Sequence, residues 1–236
     1  MINQPLPLAL ARLKDEQKAK LYQRFFKTAP GQYGHGDIFL GLTVPQQRQI
    51  AKQYSHLPLN ELQTLLHTNI HEQRLTSLII LTEQYKKATK ENNHSQQKAI
   101  YQFYLNNTKW INNWDLVDVT SSQIVGHYLL DKDRTILYQL AKSSDLWERR
   151  IAIISTFTFI RNHQFNDTIK IAALLLHDQH DLIHKAIGWM LREVGKKDQS
   201  LLETFLKKHL PQLPRTTLRY AIEKFPEHKR KEYLNL

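Results

Sequence analysis

The segment from Trp110 to Asp118, Trp-Ile-Asn-Asn-Trp-Asp-Leu-Val-Asp, holds the densest cluster of residues able to do chemistry. On a helix, Trp114 and Asp118 lie four apart and share a face. A ring face attracts positive charge, and a carboxylate beside it can stabilise a cation or activate a water molecule. The pair therefore suits a cationic substrate. Spacing alone also allows core packing for Trp114 and a cap or ion pair for Asp118, and taken by itself it favours those structural uses.

Two further segments, Trp147-Glu-Arg149-Arg150 and Trp189-Met-Leu-Arg192, repeat a Trp-x-x-Arg spacing. Each Trp then lies beside the Arg one turn on, offering an aromatic contact and a phosphate clamp. The structural alternative is a core Trp with its Arg paired to a nearby acid such as Glu193. Arg150 and Arg219 each precede an equivalent Ala by two residues, which points to a basic stripe. His177, His180 and His184 have metal-like spacing. A turn expected between Leu176 and Asp181 would scatter the three imidazoles, so no metal is expected. No Gly-x-Ser-x-Gly nucleophile motif is present. The Lys196-Lys197, Lys207-Lys208 and Lys229-Arg230-Lys231 runs read as solvated faces.

The elements that must position these residues read as helices. None of the eight prolines falls between Pro58 and Pro211, and that stretch carries apolar residues three and four apart. Segments opened by Asp145, Asp181 and Arg215 look alike, with Asp145 and Asp181 read as N-caps. Aligning Val117, Ala152, Ala186 and Ala221 gives steps of 35, 34 and 35 residues. His71-Glu-Gln-Arg-Leu75 resembles an earlier, degenerate copy. A period of this size means stacked helical pairs, here without the Trp and Tyr signature of tetratricopeptide repeats, and so HEAT-like. The expected architecture is one all-α helical-repeat domain over residues 1–236. An N-terminal helix is expected over about residues 8–28, and another opened by Thr43-Val-Pro45. Between them, Ala29–Asp37 holds three of the seven glycines and reads as a connector whose backbone could approach a phosphate closely. It lacks the Gly-Lys-Ser/Thr of a Walker loop.

Composition narrows the partners. Lys and Arg exceed Asp and Glu by 33 to 22, a formal charge of +11. Such an excess attracts nucleic acid first and anionic membrane second. The absence of cysteine excludes disulfides, thiol nucleophiles and Cys-ligated zinc, and it fits a reducing cytoplasm. The opening residues lack the charged-then-apolar order of a signal peptide. The longest apolar-rich stretch, Ile151–Ile160, is too short to span a membrane and reads as a buried helix.

Taken together, Asn113–Asp118, Trp147–Ala152, Lys185–Glu193 and Phe39–Pro45 resemble the AlkD-like family of DNA alkylation repair proteins, in order, over about residues 20–225. The resemblance implies a HEAT-like solenoid with a basic concave face that holds duplex DNA. It implies glycosylase excision of positively charged N3- and N7-alkylated purines, with no cofactor or metal and no base-flipping pocket. It assigns Asp118 as the carboxylate, Trp114 and Trp189 as the paired tryptophans, and Arg150 as the arginine that binds the DNA backbone. Arg192 is a further phosphate contact, and Phe25 is the aromatic of the N-terminal helix, with Tyr22 and Phe26 close in register. Two departures stand out: Thr158 replaces a lysine found in some members, and the Gly-rich loop is longer than in the shortest ones. The expected partner is double-stranded DNA carrying alkylated purines, bound by a cytoplasmic monomer with no role for a membrane. Competing readings are a non-catalytic DNA-binding scaffold, separable by excision activity, and a protein-interaction solenoid, which predicts little salt-sensitive affinity for DNA.

Overall fold

Capping residues set where the helices begin, and the apolar stripes set which faces turn inward. The computed structural model describes residues 4–235. Contacts among Cα positions divide the chain into two compact units, Met1–Thr120 and Ser121–Leu236. The described residues are all-α, and the only β-type pairing among them is a single bridge between Ile38 and Ile70.

The first unit contains α1 (Leu6–Ala11), α2 (Glu16–Phe25), α3 (Val44–Gln53), α4 (Leu59–Leu66), α5 (His71–Lys90), α6 (His94–Asn106) and α7 (Trp114–Ser121). Its centre is α5, which α3, α4 and α6 all pack against. Leu75, Leu78, Ile79, Ile80 and Leu81 are buried and place the middle of this helix in the core. The first half of α5 also buries His71, Glu72, Gln73 and Arg74, and these groups require partners in the interior. Thr43 opens α3 as the sequence predicts, its N–H donating 2.9 Å to Gln46 Oε1. The single N-terminal helix expected over residues 8–28 is instead two helices. The chain breaks at residues 12–15, where Asp15 accepts from Lys18 N to cap α2 and its own N–H donates 2.9 Å to the Leu40 carbonyl.

The second unit opens with a π turn, Ser122–Gly126, and continues through α8 (Thr135–Leu140), α9 (Leu146–Ser155), α10 (Phe157–Arg161), α11 (Asn166–Leu174), α12 (Asp181–Gly195), α13 (Gln199–His209), α14 (Arg215–Ala221) and α15 (Glu227–Asn235). The amphipathic α12 is its hub, flanked by α9, α13 and α14. Asp145 caps α9 as predicted, accepting from Trp147 N and Glu148 N. The cap of α12 is His180 rather than Asp181: its Nδ1 accepts 3.1 Å from Leu182 N, and Asp181 is the first helical residue. The buried helix expected over Ile151–Ile160 is divided at Thr156 between α9 and α10. The aligned repeat positions Val117, Ala152, Ala186 and Ala221 are all buried, one on each of α7, α9, α12 and α14.

Gly188 is where α12 meets α14. A Cβ at this position would stand 2.5 Å from the Tyr220 Cβ and 2.7 Å from the Thr217 carbonyl oxygen. The obstruction includes backbone, so the two helices would have to separate. Gly188→Ala is expected to destabilise the protein by about 1–3 kcal/mol, the usual range for overpacking. A fall in the thermal midpoint checks this, and an unchanged midpoint would mean that the helices yield freely.

Candidate functional site

In the first unit the sequence folds Trp114 into an aromatic stack. Its indole lies parallel to Phe26, with ring centroids 5.1 Å apart and planes 9° apart. Phe26 stacks in turn on Phe39 at 4.8 Å, and Phe39 on the His71 imidazole at 4.4 Å. Phe25, 63% exposed, sets its edge against Trp114 at 5.8 Å. Of the neighbouring aromatics at the C-terminal end of α2, Phe26, its C-cap, is therefore the core residue and Phe25 the one offered to solvent. A cavity of about 180 Å³ opens among Tyr22, Phe25, Phe26, Phe39, His71 and Asp115.

Asp118 sits one turn beyond Trp114 on α7, half-buried. Its negative charge reaches the Tyr104 hydroxyl. Burial first, and the Asp118 charge with it, hold that phenol well above its ordinary pKa, so it stays protonated. The Tyr104 hydroxyl lies 2.9 Å from Thr120 Oγ1, and Thr120 Oγ1 in turn donates to the Leu116 carbonyl within α7.

Beneath the stack runs a buried charge network that the sequence reading did not find. His71 Nε2 lies 2.8 Å from Asp115 Oδ2, and its Nδ1 lies 3.1 Å from Asp37 Oδ2. Arg74 pairs with the same Asp37 oxygen at 2.5 Å and donates to Asn112 Oδ1. Burial disfavours charge on His71, but Asp115 and Asp37 outweigh it and raise its pKa to about 9. For Asp37, burial is likewise opposed and overcome by the bond to His71 and the Arg74 guanidinium, which hold it below the usual carboxylate range. The cluster thus contains two anions and two cations, the pairing that makes buried charge tolerable. Next to it, the Glu72 carboxylate accepts the backbone N–H groups of Leu40, Gly41 and Leu42 at 2.9, 2.8 and 3.2 Å.

In the second unit, Trp189 on α12 is half-buried, with Phe157 5.8 Å away. Arg150 is buried, 5% exposed, and donates to the Leu182 carbonyl. Arg192 pairs with Glu223 and lies 3.5 Å from Glu193 Oε1. Arg219, the repeat counterpart of Arg150, is exposed. Thr158 donates to the Ser122 carbonyl at the π turn. The three histidines are separated by the expected turn: His177 and His180 precede α12, while His184 lies on it with Nε2 against the Asp178 carbonyl.

Paired amphipathic helices packed around a central one, with an aromatic and a carboxylate on one face of α7, define an all-helical repeat protein of the HEAT-like class. The chain belongs to the DNA alkylation repair enzyme family, whose model matches residues 6–225. Among solved structures it is similar to a predicted DNA alkylation repair enzyme from Enterococcus faecalis, at 17% identity and TM-score 0.69, covering 91% of this chain and 97% of that one. It is also similar to AlkD2 from Streptococcus mutans, at 18% identity and TM-score 0.57, covering 94% of this chain and all of that one. No curated protein matches the chain. No helix of the described residues is long and apolar enough to cross a membrane.

Proposed function

We propose that this protein is a DNA glycosylase that hydrolyses the N-glycosidic bond of positively charged N3- and N7-alkylated purines in duplex DNA. The observation that carries this reading is the pairing on α7 of an indole fixed by Phe26 with a half-buried carboxylate one turn away. Alkylation makes the purine a cation and a good leaving group, so its departure needs no protonation. Positive charge then develops on the sugar. Asp118 stabilises that charge and orients a water molecule towards the anomeric carbon. The Trp114 ring face favours a nearby cation, and Trp189 is assigned the same task from α12. Arg150 and Arg192 are assigned to phosphates. DNA is bound by a monomer.

The test is incubation of the purified protein with duplex DNA carrying 7-methylguanine, scored for abasic sites. Release of the base supports the reading. Salt-sensitive duplex binding without release would leave a non-catalytic scaffold in its place.

Arg192 offers the test of phosphate contact: loss of the buried Arg150 would free the interior Leu182 carbonyl, whereas Arg192 gives up ion pairs with Glu193 and the partly exposed Glu223. Arg192→Ala is expected to weaken duplex binding severalfold and to flatten the salt dependence by about one unit of slope, since one fewer counterion is released. Titrations between 50 and 200 mM salt measure this, and an unchanged slope would remove Arg192 from the interface.

A further inference from the structure

We propose that His71 is a positioning residue for the α7 pair, bridging Asp37 and Asp115 so that Trp114 and Asp118 are held in one fixed orientation. This deepens the glycosylase reading and rests on it for the role of Asp118.

The geometry closes a circuit. On one side are hydrogen bonds: His71 bonds Asp115, the second residue of α7, and Asn113 reaches back 3.4 Å to Asp37. On the other side are rings: Trp114, the first residue of α7, stacks on Phe26, which stacks on Phe39, which stacks on His71. Both routes begin at the first turn of α7 and end on the same imidazole. A helix held at one point can rotate about its axis. Held by a bond at Asp115 and by a stacked ring at Trp114, it cannot, and Asp118 shares the face of Trp114.

The bridge needs both imidazole nitrogens to donate, and so needs the charged form. The groups facing His71 are Asp37 from the loop before α3, Arg74 from α5 itself and Asp115 from α7, while the C-cap of α2 contributes the uncharged Phe26 ring. Because the folded pKa is raised from 6.5 to about 9, the bridge is intact at neutral pH. Its contribution is fully present below pH 6.5 and is lost as pH rises through about 9. Local positioning matters because a misplacement of about 1 Å can cost on the order of a hundredfold in rate.

The experiment follows the indole resonance of Trp114 in protein carrying ¹⁵N-labelled tryptophan, assigned by its loss in Trp114→Phe. A Tyr22→Phe background removes the phenol that packs against the same aromatic cluster as Trp114. In parent protein the resonance should move with a midpoint near pH 9. In His71→Gln that step should vanish, and single-turnover excision should fall roughly tenfold to a hundredfold with duplex affinity changed less than about twofold. Excision by the parent should decline over the same alkaline range, and the variant should lack that decline. If His71→Gln alone does not fold, His71→Gln/Asp115→Asn removes one buried cation and one buried anion together and allows an amide–amide bond. It should likewise abolish the step. A Trp114 resonance that does not titrate in the parent overturns the proposal, as does a His71→Gln variant that excises at the parent rate. If the parent releases no 7-methylguanine at any pH, the glycosylase reading fails, and the resonance alone then decides whether His71 positions α7.

Discussion

Asp118→Asn should slow excision of 7-methylguanine by roughly 100- to 1,000-fold while leaving duplex binding intact or slightly tighter. The substitution keeps the shape of the side chain and removes one negative charge. The charge is what the proposed mechanism uses, because an amide neither stabilises a developing sugar cation as a carboxylate does nor takes a proton from water. Losing one such interaction lowers rates by roughly 100- to 1,000-fold in comparable sites. Binding moves the other way because the DNA backbone is an anion, and removing a like charge near it weakens a repulsion. A purely structural Asp118 predicts a different pattern: a lower unfolding midpoint with excision reduced only as folded protein is lost. Single-turnover excision, duplex titration and thermal unfolding on the same two preparations separate these cases. Full activity in Asp118→Asn would remove the carboxylate from the reaction.

How much of this site was legible in the sequence depends on how far apart its parts lie. The α7 segment was readable because Trp114 and Asp118 are local: the 3.6-residue period places them on one face without knowledge of the rest of the chain. The same holds for the caps at Thr43 and Asp145 and for the buried repeat positions from Val117 to Ala221. The network beneath Trp114 was not readable in this way. His71 is bound to groups 34 residues earlier and 44 residues later, and no local pattern links them. Its signal was present but indirect: four consecutive polar residues, His71 to Arg74, lead straight into the buried stretch from Leu75 to Leu81, and buried polar groups demand partners. Arg150 illustrates a different limit. The Trp-x-x-Arg spacing says that the two side chains share a face but not which face is core. Trp147 is buried, and its neighbour Arg150 is carried inward with it. The break between α1 and α2 also depends on a distant contact, the bond from Asp15 N to the Leu40 carbonyl, which hydrophobic periodicity cannot register.

That same distant segment should dominate the stability of the first unit. Glu72 is 1% exposed, and its two oxygens take three backbone N–H groups, from Leu40, Gly41 and Leu42. The chain can hardly satisfy them otherwise. Gly41 has φ of +90°, and a Cβ there would lie 2.2 Å from the Asp15 carbonyl oxygen, so the backbone runs too close to α2 for a side chain to intervene. Glu72→Ala would leave the three buried donors without their carboxylate acceptor. Each hydrogen bond to a charged group contributes about 1.5–3 kcal/mol, and such bonds are not additive, so a loss of about 3–5 kcal/mol is expected. That is a large part of the 5–15 kcal/mol by which domains are typically stable. Glu72→Gln should fall between the two, because one oxygen still accepts while the new NH₂ group faces a backbone donor. Urea unfolding resolves the series as a falling midpoint at constant slope. The loop also carries Asp37 and Phe39, the partners of His71, so Glu72→Ala that remains folded should still excise more slowly than the parent. A Glu72→Ala protein with the parent's midpoint would mean that water or a rearranged loop satisfies the three donors, and that the ordering of this segment does not depend on the carboxylate.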